Sequence, residues 1–182
     1  SHKHITLDGR AKWALGIVTG NNQKFCKSEP IKGYLPIYKG SDITKNGLKE
    51  TTTFITKEFT KLQQCAPLKL YQAKEKLIYK FISSKLCFYY DNQQKLFLNS
   101  ANLLIPYDIG ISMKQLSDLL NSEVINWLFQ KIFSTHKVLR SDLEQLPIHT
   151  EYFKHYNEFS EETYLSYLQL EKIGKNNFKI KS

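Results

Sequence analysis

The sequence predicts an α+β fold, or a mixed α/β sheet, with a β-rich first part and packed helices in the C-terminal half. Two patterns in the 182 residues predict it. Up to Pro106, apolar residues form short runs or alternate with polar residues, which is typical of strands. From Ser112 onward they recur every three or four residues, which is typical of amphipathic helices. Strands followed by helices favour this class.

The first strands are predicted near the N-terminus. The run from Trp13 to Val18 is apolar except for Gly16, so we expect a buried strand there. Residues 33–43 predict a short extended segment that ends in a polar turn. Within it, Pro36 favours an edge strand or the start of a strand, because proline lacks the N–H that pairing requires.

The middle of the chain predicts one helix and further strands. Residues 56–64 predict a short amphipathic helix that ends before Pro67. Residues 75–82 alternate with period two and predict a strand. In residues 85–106, two β-favouring runs flank Asp91-Asn92-Gln93-Gln94, and this arrangement predicts a hairpin.

Three helices are predicted in the C-terminal half. Each begins at a serine that can cap it: Ser112, Ser141 and Ser160. Gln115 and Glu144 complete capping boxes with the first two serines. The first helix has a break at Asn121-Ser122, and the third extends to Ile173, just ahead of Gly174.

The charge of the chain is positive and unevenly distributed. The net charge is +9, and residues 1–85 contain 16 Lys+Arg against 6 Asp+Glu. Residues 151–182 are neutral, with five of each. A basic surface of this size attracts polyanions, most commonly nucleic acid. The alternative is a solvated lysine surface that reflects an AT-rich genome, since Arg occurs only at positions 10 and 140.

Other bulk features concern the cellular setting. No apolar run approaches the ~20 residues of a membrane span, and no signal-peptide pattern is present. Three separated cysteines, Cys26, Cys65 and Cys87, argue against a disulfide framework and predict a reducing, cytoplasmic location. The chain lacks an initiator Met, which predicts a domain of a longer protein.

Catalytic motifs are missing from the sequence. It contains neither Gly-x-Gly nor the P-loop spacing, and its His and Cys residues form no metal-ligand pair at short spacing. Asp142 and Glu144 are interpreted as helix-start charges, and His136 lacks an orienting acid. We therefore predict no catalytic residue and no metal site. What remains is polar loops that can hydrogen-bond base edges and phosphates, or that are ordinary turns.

Several blocks of the sequence, taken in order, resemble one family. They are "GIVTGNNQKF", "PIYKGSDI", "EKLIYKFISSKLCFYYDNQQKLFLNSANLLIP", "LSDLLNSEVINWLFQKIFS" and "HKVLRSDLEQLPI". Over about residues 13–148 the chain is similar to the C-terminal target-recognition domain of the TaqI-like adenine-N6 DNA methyltransferases, a group that includes fused type II restriction-modification enzymes. That recognition domain is similar to those of type I specificity subunits.

The resemblance implies a division of labour within a bacterial enzyme. Residues 1–148 would form a domain that recognises double-stranded DNA, and residues 149–182 a C-terminal helical annex. An N-terminal domain of the same chain would bind S-adenosylmethionine and carry an Asn/Asp-Pro-Pro-Tyr motif that holds a flipped adenine. This chain contains no Pro-Pro, so we expect no cofactor and no catalysis here, and no membrane partner.

The resemblance also implies which residues face DNA. It places there the polar loops after the first strand and after residue 38, with basic support from four further residues. The DNA-binding candidates are Thr19, Gly20, Asn21, Asn22, Gln23, Lys24, Lys39, Gly40, Ser41, Asp42, Lys76, Lys80, Lys137 and Arg140.

Two alternatives remain open from the sequence. A type I restriction specificity subunit would share the recognition fold but add a second recognition domain and long helices, of which only residues 160–173 give a hint. A non-enzymatic protein-interaction or scaffold domain would bind DNA weakly and without specificity.

Overall fold

The computed structural model describes residues 2–182, which form strands and helices in mixed order. The strands are β1 (Ala11–Leu15), β2 (Cys26–Lys27), β3 (Tyr34–Tyr38), β4 (Ile43–Thr44), β5 (Gly47–Leu48), β6 (Phe54–Thr56), β7 (Lys76–Lys80), β8 (Phe88–Asp91), β9 (Leu96–Phe97), β10 (Ala101–Pro106), β11 (Leu170–Ile173) and β12 (Asn177–Ile180). The α-helices are α1 (Asn22–Phe25), α2 (Leu68–Tyr71), α3 (Met113–Leu120), α4 (Glu123–Ile132), α5 (Arg140–Leu143), α6 (Tyr152–His155) and α7 (Glu161–Leu168). None of the helices in this range has the length and apolar character needed to cross a bilayer.

A four-stranded antiparallel sheet with the order β1-β10-β7-β8 forms the centre of the protein. Its register sets Leu15 opposite Asn102, Asn102 opposite Tyr79, and Tyr79 opposite Phe88. Strands β1 and β7 therefore end, and β8 and β10 begin, at the same edge of the sheet. We call this edge the loop end, because the loops after β1 and β7 start there.

The central sheet is covered on both faces. Leu77 and Tyr79 pack among the helices, in one core with Leu116 and Phe129, whereas Ile78 belongs to a second core. This separation follows from the period of two, which sends successive side chains of a strand to opposite faces. Burial on both faces explains why β7 is apolar at consecutive positions.

The second core lies between the central sheet and a smaller sheet with the order β2-β6-β3-β9. Here β3 pairs antiparallel with β6 and parallel with β9. Ile37, Ile55 and Phe97 fill the space between the two sheets and are essentially inaccessible to solvent. The small sheet thus holds its loops beside the loop end of the central sheet.

The predicted fold class is confirmed, and so are several local features. A strand covers most of residues 75–82, a helix begins after Ser112, and a break falls at Asn121-Ser122. The capping box is formed as expected: Ser112 Oγ accepts from the Gln115 N–H at 3.0 Å, and Gln115 Oε1 accepts from the Ser112 N–H at 2.9 Å.

The predicted burial of the first strand is wrong. β1 is an edge strand, since its one sheet neighbour is β10, and Leu15 is 46% exposed. Full burial starts only at Gly16 and Ile17. Pro36 was expected in an edge strand or at the start of a strand, but it lies inside β3, which has a neighbour on each side. The proline fits there because pairing with β6 ends at Pro36 and pairing with β9 begins only at Ile37.

Two further element predictions are wrong. Residues 56–64 do not form an α-helix, because the β-branched run before them extends the chain into β6, and only a short 3₁₀ turn at Phe59–Lys61 follows. The two runs of residues 85–106 do not pair as a hairpin. β8 pairs with β7, and β9 joins the small sheet beside β3.

The C-terminal segment differs from a helical annex. α7 ends at Leu168 with Gln169 in the left-handed conformation, and the chain continues as a hairpin of β11 and β12 with Gly174 in its turn. Tyr164, Leu168 and Phe178 belong to the same core as α3 and α4. The helix that hinted at a type I subunit is therefore eight residues long.

Candidate nucleic-acid interface

The polar loop after β1 is a compact turn held by its own side chains. Asn21 is extended and caps α1, with its Oδ1 accepting from the Lys24 N–H at 3.0 Å. The Thr19 hydroxyl accepts from the Asn21 N–H at 3.2 Å and donates to Asn22 Oδ1. These bonds occupy the amide oxygens, so the donors that Asn21 and Asn22 can offer to a partner are their Nδ2 groups, and both residues are exposed.

Thr19 itself does not face outward. It is 3% exposed, so the prediction that Thr19 contacts DNA is wrong; its hydroxyl orders the loop instead. Asn21, Asn22, Gln23 and Lys24 are exposed. The local sequence explains the turn, since asparagine is a preferred N-cap and short polar side chains readily bond nearby backbone.

Glycine allows this loop to lie close to its neighbours. Gly20 has φ of +81°, and a Cβ there would come within 2.9 Å of Gln63 Oε1. The backbone bonds between Val18 and Gln64, both 2.9 Å long, fasten the loop to the segment before α2. At Gly16, a Cβ would collide with the carbonyl oxygens of Leu98 and Ala101, so only glycine fits between β1 and the turn before β10.

The second predicted loop, Lys39 to Asp42, is a single 3₁₀ turn after β3. The Asp42 carboxylate accepts from the Lys39 N–H at 2.8 Å, and the Gly40 N–H donates to Ser100 Oγ at 2.8 Å. Gly40 is buried against the Ser100 carbonyl, where a Cβ would collide. Gly40 and Asp42 therefore shape the turn, and Lys39 and Ser41 are its exposed members.

The two loops meet at one open groove of about 330 Å³. Asn22 and Gln23 line it from one side and Lys39 from another. Burial raises the pKa of the Cys26 thiol at this groove, and the nearby Lys39 ammonium opposes that rise. The structure thus brings together polar residues that are separated in the sequence by strands β2 and β3.

The same groove contains residues that the sequence analysis missed. They come from β2 and from the segment before β6: Cys26, Lys27, Ser28, Thr52 and Thr53. The pairing of Lys27 with Phe54 aligns these two stretches. The run of hydroxyl residues at 51–53 was the available signal, and it could not be assigned without that pairing.

Lys80 and Lys137 also lie at the loop end. Lys80 is the last residue of β7, and the chain beyond it pairs with residues 136–138 through Val138 N–H to Phe81 O at 2.8 Å and Ser83 N–H to His136 O at 2.9 Å. Lys137 is exposed, and Lys80 is half-buried.

Arg140 is separated from the groove. Its guanidinium lies 5.5 Å from the centre of the Trp13 ring and pairs with Glu144 at 2.8 Å. Trp13 packs against the helical core, on the face of the central sheet opposite the small sheet. The structure therefore does not bring Arg140 together with Asn22 and Lys39.

The prediction that Lys76 contacts DNA is wrong. Its side chain is completely buried, forms an ion pair with Asp91 and donates to the Tyr71 carbonyl at 2.7 Å. Lys76 starts β7, at the edge of the sheet opposite the loop end.

The exposed charges at the groove are positive. Lys27 and Lys39 line the groove and have no carboxylate partner among residues 2–182, and no acidic residue lines it in that range. Throughout the same range, no group of three or more His, Cys, Asp or Glu residues could hold a metal ion. The arrangement suits the binding of an anionic, hydrogen-bonding surface.

The chain is similar to a known domain family and to a known enzyme. Residues 35–148 match the model of a TaqI-like C-terminal specificity domain. Over 44 residues the chain is 66% identical to the Type II methyltransferase M.VspI of Vibrio sp. (strain 343). Those residues make up 24% of this chain and 11% of that protein, so the chain matches only about a tenth of the relative's length. The loop from Lys39 to Asp42 lies inside the matched domain, and the loop after β1 precedes it.

Proposed function

This chain belongs to the family of TaqI-like C-terminal specificity domains, and from that premise we propose that it recognises a short sequence in double-stranded DNA for a DNA methyltransferase. The observation that carries the proposal is the groove at which two polar loops from different parts of the chain converge, with Asn22, Gln23 and Lys39 on its walls.

The side chains at the groove have the chemistry that the two parts of DNA recognition require. Amide groups such as those of Asn22 and Gln23 hydrogen-bond base edges, and lysines contact phosphates without reading sequence. The Asn22 oxygen is bound within the loop, so Asn22 offers donors in a fixed position. A donor held in one orientation binds a matching acceptor more tightly than a mobile one, because less conformational freedom is lost on binding.

The proposed division of labour assigns chemistry to another domain. The partner is an upstream methyltransferase domain of the same polypeptide, which binds S-adenosylmethionine and methylates adenine at N6 in a cytoplasmic bacterial restriction-modification system. This chain positions the duplex by phosphate contacts and holds the site in register. The DNA-contacting surface lies at the loop end of the central sheet. The helices pack on one face of that sheet and the small sheet on the other, and both hold the sheet in place.

The experiment is a selection by the purified chain from a pool of duplexes with a randomised central segment, at near-physiological salt. We expect one short sequence to be enriched over successive rounds. A specific complex exceeds non-specific binding by typically 10³–10⁷-fold, which such a selection resolves. Recovery of an unenriched pool, with binding that fades uniformly as salt rises, would instead support the scaffold alternative.

A further inference from the structure

A second basic site lies away from the groove, in a pocket of about 240 Å³ between the start of α4 and the C-terminal hairpin. Three lysines line it: Lys45, Lys85 and Lys175. Each comes from a different turn. Lys45 follows β4, Lys85 lies between β7 and β8, and Lys175 lies in the turn between β11 and β12.

These three lysines have no carboxylate partner among residues 2–182. One acidic side chain, that of Glu123, also lines the pocket. Glu123 pairs with Lys172 at 2.7 Å, and Glu161 accepts the backbone N–H of Glu123 at the first turn of α4. Three like charges around one cavity repel one another, and an anion bound between them removes that cost.

The walls of the pocket are fixed by hydrogen bonds. Asn121 accepts from and donates to the backbone of Phe88, at 2.8 and 2.9 Å. Asn126 accepts from the Leu86 N–H at 2.9 Å, and Gln130 donates to the Ser84 carbonyl at 2.8 Å. These bonds hold the connection that carries Lys85 against the helices, so the pocket is preformed.

The pocket borders the loop end of the central sheet, because Lys85 lies in the connection from β7 to β8, which starts at that end. Burial raises the pKa of the Cys87 thiol, and Lys80 and Lys45 both oppose that rise, so both ammonium groups lie near Cys87. Lys80 ends β7 at the loop end, and Lys45 lines the pocket. Lysines therefore lie both at the loop end and around the pocket.

We propose that Lys45, Lys85 and Lys175 form a phosphate-binding site that holds the backbone of duplex DNA beside the recognised sequence. This inference rests on the proposed function and adds to it a role for residues 149–182. Lys175 lies beyond the part of the chain that matches the specificity-domain model, which ends at residue 148. The C-terminal hairpin thus extends the DNA contact while its Phe178 packs into the core.

The test is the salt dependence of binding to a duplex of random sequence, measured by fluorescence anisotropy for the wild-type chain and for the variants Lys85→Gln and Lys175→Gln. The control is Lys179→Gln, which removes the same charge from the same hairpin at a lysine that already pairs with Glu171 at 2.9 Å. All of these lysines are exposed, so the variants should melt like the wild-type chain.

We expect Lys85→Gln and Lys175→Gln each to reduce the slope of log K against log salt by about one, and Lys179→Gln to leave it unchanged. If the wild-type chain binds the duplex and all three variants keep its slope, the phosphate site is refuted and the proposed function stands. If the wild-type chain does not bind duplex DNA, the proposed function fails and this inference fails with it.

Discussion

Lys76 and Asp91 form an ion pair inside the protein, and solvent reaches neither side chain. Asp91 also accepts the backbone N–H groups of Gln93 and Lys95, both at 2.9 Å, and Lys76 also donates to the Tyr71 carbonyl. Each charge is therefore surrounded by hydrogen bonds, as a buried pair requires. The pair ties the start of β7 to the turn after β8.

Removing one member of this pair should leave the other charged and without its partner. We expect Lys76→Met to lower the free energy of unfolding by about 3–5 kcal/mol in urea denaturation. Lys74→Met is the control, because Lys74 is exposed two residues earlier and should change stability by less than about 0.5 kcal/mol. Equal effects of the two substitutions would contradict the buried pair.

His149 is buried beside Tyr164, with 2.7 Å between Nδ1 and the phenolic oxygen. Burial, with a smaller contribution from the nearby His4 and His2, lowers the pKa of His149 to about 4. In the unfolded chain the imidazole has a pKa of about 6.5 and gains a proton as the pH falls, whereas the folded protein stays unprotonated until about pH 4. Stability contributed by the neutral histidine is therefore present above pH 6.5 and lost between pH 6.5 and 4.

The variant His149→Gln should remove that pH dependence. We expect the free energy of unfolding of the wild-type protein to fall, relative to the variant, by up to about 1.4 kcal/mol per pH unit between pH 6 and pH 4.5. The comparison with the variant cancels the carboxylates that titrate in the same range. Parallel pH profiles of the two proteins would show that His149 titrates normally.

At single positions, the sequence predicted the exposure of most residues in the loop after β1 but not that of every candidate. Asn21 to Lys24 are exposed as expected, since a polar run after an apolar strand has nothing to be buried against. Lys76 was misplaced because its burial depends on Asp91, and the register that sets them opposite each other is not visible in the sequence. Thr19 was misplaced because its hydroxyl finds partners inside the loop.

At the scale of elements, Ser112 and Ser141 have the same capping pattern in the sequence but occupy different positions relative to their helices. Ser112 caps α3, whereas Ser141 lies inside α5, which begins after Leu139 and is held by the pair of Arg140 with Glu144. Glu144 was predicted to complete a box with Ser141, but its carboxylate is bound by the arginine. A capping signal thus depends on competition among nearby side chains.

This difference predicts unequal effects of the same substitution. We expect Ser112→Ala to lower the free energy of unfolding by about 1 kcal/mol, because the Gln115 N–H loses its acceptor. Ser141→Ala should cost less than about 0.5 kcal/mol, since the Ser141 side chain caps no helix. Thermal melts of the two variants distinguish the structure from the sequence pattern, which predicts similar losses.

The hairpin predicted for residues 85–106 failed for a reason of topology. Strands adjacent in sequence usually pair, but β8 already pairs with β7, and β9 is only two residues long. The turn after β8 is bound by Asp91 and directs β9 into the small sheet beside β3. Local pattern identifies the strands, and long-range pairing decides their partners.

At the scale of the whole molecule, the groove exists because two sheets share one core. Ile17, Ile37 and Phe97 pack between the central sheet and the small sheet and bring the loop after β1 beside the turn after β3. The sequence predicted both loops as DNA-facing through a family resemblance. It did not predict that Lys27 and Thr53 would join them, because their position follows from the pairing of β2 with β6.

The direct test of the groove compares two of its residues with two matched residues at the opposite edge of the central sheet. The groove variants are Asn22→Ala and Lys39→Gln. The controls are Asn92→Ala and Lys74→Gln, exposed residues that lie near the buried pair of Lys76 and Asp91. Affinity is measured by anisotropy for the sequence enriched in the selection and for a scrambled duplex, over a range of salt.

We expect Asn22→Ala to reduce the difference in binding free energy between the two duplexes by about 1–3 kcal/mol. Lys39→Gln should weaken binding to both duplexes alike and lower the salt slope by about one. The control variants should bind as the wild-type chain does. If Asn22→Ala and Lys39→Gln keep wild-type affinity and discrimination, or if the controls lose as much, the groove is not the DNA interface.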